Sequence, residues 1–145
     1  MADIPKPRTH VTFETDMADD GRPESMPGKY IADYLQGELV NRGFQVGCGM
    51  DCRYSHDFTV TVQGRTFHCM LGPIGSDLHF WMLQTESHGG WLPKFVLGDD
   101  TRQLTTLMFE INRAIQKNPN ITRIRWYKSA SHVREFDGTD YTVAP

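Results

Sequence analysis

Cysteine is scarce: Cys48, Cys52 and Cys69 are the three in 145 residues. So small and odd a set gives no disulfide framework, and a chain of this length can fold without one. Long apolar runs are missing too, with nothing near the ~18 consecutive apolar residues of a membrane-spanning helix. Met1 to Arg8 is polar and broken by Pro5 and Pro7, without the apolar core of a secretory signal. Together these absences predict a soluble protein with free thiols in a reducing, cytoplasmic compartment and no membrane partner. There is no excess of basic charge: 15 Lys and Arg stand against 18 Asp and Glu, a net charge of -3. That argues against nucleic acid as a partner, because non-specific affinity comes mainly from neutralising phosphates. The glycines form neither a G-x-x-x-x-G-K-[ST] run nor a G-x-G-x-x-G opening a helix, so nucleotide chemistry is disfavoured, and there is no G-x-S-x-G nucleophile elbow.

What is present reads as one α+β domain. Residues 1–27 carry four prolines and several acidic residues and are expected to form a tail, lending at most an edge strand at 10–15 (HVTFET). From Gly28 to Arg42, Ile31, Tyr34, Leu35 and Leu39 fall at helical spacing, and Gly43-Phe44 is a C-terminal cap signal. Phe44, Val46 and Cys48 alternate as a short strand. Phe58, Val60 and Val62 alternate before Gln63-Gly64, and Phe67, Cys69 and Leu71 alternate after it. With a two-residue turn, Val62 faces Arg65, Val60 faces Phe67 and Phe58 faces Cys69, which puts the apolar residues on one side. Residues 78–84 (LHFWMLQ) are apolar on both faces of a further strand. A second helix follows Asp100, with Gln103 completing an approximate capping box and Leu104, Leu107, Met108, Ile111 and Ile115 its stripe, and Asn118-Pro119 ends it. A last strand, 121–127, alternates Ile124 and Trp126 with Arg123 and Arg125. The expected architecture is two-layer, with two helices on one face of a mainly antiparallel sheet of four to five strands. The domain covers residues 28–128, and a tail, 129–145, can fold back over it.

Three groups of residues could carry chemistry. Cys48, Cys52 and His56, with His68, Cys69 and His79 nearby, have the ligand types zinc prefers. No second knuckle accompanies them, and Cys48 and Cys69 fall at core positions, so neither metal nor any other cofactor is expected. Cys52, His56 and Asp57 hold the residue types of a nucleophilic triad within one short segment, whereas catalytic partners usually converge from distant parts of a fold. The third group is the sheet face turned away from the helices, expected to present Thr59, Thr61, His68, Met70, Trp81, Arg123 and Arg125, with Trp91 in the adjoining Gly-rich loop. Tryptophan and arginine are enriched at binding hot spots. The same face could instead be covered by the C-terminal tail or by a second copy of the chain.

GKYIADYLQGELVNRGF at 28–44, the aromatic-rich meander and the terminal ITRIRW at 121–126 resemble small bacterial α+β proteins of uncharacterised function. The shared features are structural, and the resemblance assigns no catalytic residue. It implies at most that a domain of this kind can neutralise a toxin or inhibit another protein. The sequence therefore predicts a non-enzymatic protein-binding module, immunity- or inhibitor-like, whose partner is a protein such as a toxin or host factor. Its binding residues are Trp81, Trp91, His68, His79, Arg123 and Arg125. The alternatives are a small metal- or ligand-binding protein or enzyme using the cysteines and histidines of the 48–69 region, and a homodimer.

Overall fold

A computed structural model describes residues 6–16, 28–47, 51–52, 55–74, 79–87, 99–129 and 141–145. In chain order the elements are β1 (His10–Glu14), α1 (Lys29–Asn41), β2 (Gln45–Gly47), β3 (Asp51–Cys52), β4 (Ser55–Val62), β5 (Arg65–Pro73), β6 (Phe80–Ser87), α2 (Thr101–Lys117) and β7 (Thr122–Tyr127). The strands join in one sheet of order β2-β4-β5-β6-β1-β7, with β3 also pairing β4. Every pairing is antiparallel. Both described helices pack on one face, as expected, although the sheet holds more strands than the sequence predicts.

The central hairpin has the expected register, Phe58 opposite Cys69, Val60 opposite Phe67 and Val62 opposite Arg65. Its turn explains why: Gln63 and Gly64 both take positive φ, 48° and 79°, the conformation that lets a two-residue loop follow the strands' twist. The cap of α1 also forms. Gly43 is left-handed (φ 91°), its N–H reaches the Val40 carbonyl at 3.0 Å, and the Phe44 N–H reaches the Leu39 carbonyl at 3.1 Å.

At α2 the expected capping box is absent. Asp99, not Asp100, accepts from the Thr101 N–H (3.0 Å) and hydroxyl (2.6 Å). The Asp100 carboxylate instead accepts from the Ser87 hydroxyl and lies 3.6 Å from Arg65, tying the start of α2 to β5 and β6. The Gln103 side-chain oxygen is buried without a hydrogen-bond partner.

The largest correction concerns the N-terminal segment. Residues 10–15, expected at an edge, supply an interior strand: β1 lies between β6 and β7 and pairs with both. Its alternation gives the reason, since Val11 and Phe13 are 1% exposed and pack with the inner faces of the neighbouring strands. The core joins these residues to Phe58, Val60, Phe67, Cys69, Leu71, Trp81, Leu83 and Trp126, and to the helix stripes Ile31, Leu35, Leu39, Leu107, Met108, Ile111 and Ile115. Each large apolar side chain so buried contributes roughly 1.5–3 kcal/mol.

Two hydrogen bonds pair polar groups within this layer. The Trp126 indole N–H donates to Asn112 Oδ1 at 2.9 Å, and the Tyr34 hydroxyl donates to the Ala114 carbonyl at 2.6 Å. Glu38 meets Lys117 (3.1 Å) and Arg42 meets Glu110 (3.0 Å), so the two helices run antiparallel along a charged seam.

Candidate binding face

Strand parity divides the sheet into an inner face under the helices and an outer face. On the outer face the aligned positions are Asp57, Met70, Gln84 and His10 in one row and Thr59, His68 and Glu86 in the next. Thr61 pairs with Thr66 across the turn end of the hairpin, their hydroxyls 3.1 Å apart. Met82 and Thr12 form a further row with Arg125, and Phe80 stands opposite Glu14. All these residues are partly exposed, and among the described residues no helix covers them.

His68 lies between two carboxylates from neighbouring strands. Its Nε2 is 3.5 Å from Asp57 Oδ2 and its Nδ1 3.7 Å from Glu86 Oε1. The Ser55 hydroxyl donates to the other Asp57 oxygen at 2.8 Å. His10, half-buried on the same face, is held below its ordinary range by burial, an effect that the Glu86 charge partly opposes. Soft side chains complete the patch, with Gln84 Nε2 3.5 Å from the Met70 sulfur.

The predicted site residues divide. His68 and Arg125 lie on the outer face as expected. Trp81 does not: it is fully buried on the inner face, packed against Gly28. The reason is register, because β6 pairs Leu83 with Leu71 of β5, and β1 sets Phe13 beside Trp81, so Phe80 and Met82 turn outward in its place. Arg123 takes a positive φ of 53°, next to a register shift between β1 and β7, and its Nε reaches Glu14 at 3.1 Å. His79 precedes β6, at the opposite end of that strand from Glu86 and His68, so the two histidines do not meet. It lines a cavity of about 410 Å³ with Glu14, Asp16, Asn120 and Thr122. Trp91 lies outside the described residues.

Among the described residues the metal and nucleophile candidates are not brought together. Cys48 and the side chain of Cys52 lie outside the described residues, and His56 is buried on the inner face beside Gly28. Asp57, the next residue, faces outward, so β4 parity separates the two residues of the supposed triad. Burial pushes the Cys69 thiol up to about 12, against a weaker opposing contact from Thr85, which leaves it a core residue rather than a nucleophile. Among the described residues no three His, Cys, Asp or Glu side chains are grouped to hold a metal ion.

Sequence reasoning missed Glu86, His10, Phe80 and Met82 as members of the outer face. The alternation of β1 carried a signal for His10, since Val11 and Phe13 mark its inner side. Comparison of the chain with protein-family models, with curated proteins and with solved structures finds no match.

Proposed function

We propose that the chain is a non-enzymatic binding module that recognises another protein through the outer face of its sheet, in the manner of an immunity or inhibitor protein. The observation that carries this reading is the one-sided placement of the helices. They leave a multi-stranded face on which Phe80 stands partly exposed opposite Glu14, with Met82 and Met70 in the rows that lead from it to Asp57, His68 and Glu86. Adaptable thioethers and an aromatic ring next to charged groups suit protein recognition. The net charge of -3 favours a cationic target by steering rather than by raw affinity. The buried Cys69 thiol and the separation of His56 from Asp57 favour binding over nucleophilic catalysis.

Site-specific photo-crosslinking tests this reading. A benzophenone side chain replaces Phe80 on the outer face or, as a control, the exposed Phe109 of α2, in cells of the native host. A discrete adduct from position 80 and none from position 109 is expected. An adduct only at twice the chain's 16.6 kDa, or equal labelling from both positions, contradicts the proposal.

A further inference from the structure

His68 stands on β5 with a carboxylate from each neighbouring strand beside it, and we propose that Asp57, His68 and Glu86 form a proton-operated clasp across β4, β5 and β6. When the ring takes a second proton from solvent, it holds both carboxylates at once and draws Glu86 down onto the sheet. The clasp is a property of the folded chain alone. Its use in regulating the outer face rests on the binding reading above.

A neutral imidazole carries one N–H and one lone pair, so it can donate to a single acceptor, whereas the imidazolium donates from both nitrogens. Here each nitrogen has a carboxylate oxygen close by, Asp57 Oδ2 at 3.5 Å from Nε2 and Glu86 Oε1 at 3.7 Å from Nδ1. With a neutral ring, one of these approaches sets a lone pair against an anion. Both distances exceed the ~2.7–2.9 Å of a charge-assisted hydrogen bond, so the three groups are near contact without having closed. The two carboxylates differ in freedom. Asp57 is held, its side chain 15% exposed and its other oxygen accepting from the Ser55 hydroxyl at 2.8 Å. Glu86 is 63% exposed, so it is the arm that can move.

The surroundings isolate the ring as the switching group. Among the described residues no other charged side chain of β4, β5 or β6 stands on this face beside the three: Thr59, Thr66, Met70 and Gln84 are their neighbours. From β1, His10 stands opposite Gln84, and the Glu86 charge favours its protonated form against burial, so His10 competes for the same carboxylate. Farther along the face, the Arg125 guanidinium of β7 lies 4.5 Å from the centre of the Tyr141 ring, and Arg123 meets Glu14 at 3.1 Å. Closing the clasp lowers the charge of the three groups from two negative to one and engages the carboxylate oxygens that face the ring. For a chain whose target is cationic, acidification then withdraws the contact that a basic side chain of the partner would take.

The test uses the purified full chain in a His10→Gln background, denatured at pH 8 and at pH 5.5, either side of the ordinary histidine value of ~6.5 and above the carboxylate range. Two double-mutant cycles pair His68→Gln with Asp57→Asn and with Glu86→Gln. At pH 5.5 both cycles should show a coupling of about twofold to fivefold in the unfolding constant, and at pH 8 at most one of them should. A second readout needs no carboxylate variant: by NMR, the two Glu86 γ-protons should be averaged at pH 8 and separate at pH 5.5, and should stay averaged in His68→Gln. Coupling to only one carboxylate at pH 5.5, couplings equal at the two pH values, or γ-protons still averaged at pH 5.5 would each overturn the clasp. No partner enters these measurements, so their failure leaves the binding reading standing, and absence of a photo-adduct leaves the clasp standing.

Discussion

Phe80 and Trp81 are neighbours in the chain and face opposite sides of one sheet. Trp81 is fully buried beneath the start of α1, whereas Phe80 stands partly exposed beside Met82. The inner face is built of side chains whose removal leaves a cavity. The outer face carries threonines, thioethers, histidines and carboxylates, whose removal mostly leaves space that water can fill. Residues of similar apolarity thus do different jobs according to parity, and stability and recognition can be altered separately.

The largest expected effect breaks that comparison at its centre. Trp81→Ala should cost about 3–5 kcal/mol in chemical denaturation. Phe80→Ala should cost about 1 kcal/mol or less, as suits a partly exposed position. Equal losses would mean that both faces are core. Gly28→Ala comes next. A methyl there would lie 2.6 Å from Trp81 Cζ3, and φ is +96°, so overpacking and left-handed strain together should cost about 2–4 kcal/mol. Restoring space with Trp81→Phe in the Gly28→Ala background should recover part of the loss. If it recovers none, the backbone strain dominates.

The smallest effect is a pH dependence of the outer face. His10 in the folded chain takes up a proton less readily than in the unfolded chain, because burial lowers its affinity below the ordinary value of 6.5. Below about that pH the unfolded state binds more protons, so this group makes stability fall on acidification and has no effect at higher pH. His10→Gln should therefore flatten the decline in denaturation midpoint between pH 7.5 and 5. An unaltered slope would assign the decline to other groups.

Much of the fold was legible because local rules were enough. The stripe and Gly43-Phe44 cap of α1, the stripe of α2 and the Gln63-Gly64 hairpin are set by residues near one another in sequence. The capping box of α2 failed locally, where Asp99 takes the role expected of Asp100; the larger failures were non-local. β6 is apolar on both faces, so its own residues could not say whether Trp81 or Phe80 points inward; pairing with β5 and β1 decides it. The insertion of β1 between β6 and β7 joins segments more than a hundred residues apart, and a five-residue alternation does not encode its neighbours. Of the candidate site, His68 and Arg125 were legible from the parity of their own strands. The parity of β1 marked the side of His10, but its neighbours, like the place of Glu86, required the sheet order.

The separation of the two faces is tested most directly at Met82, on the outer side of β6. Met82→Glu is introduced into the chain carrying the benzophenone at position 80, and stability and adduct formation are measured on the same sample. Stability within about 1 kcal/mol of the parent and loss of the adduct are predicted. A stability loss of the size expected for Trp81→Ala, with the adduct still forming from the folded fraction, would contradict the account.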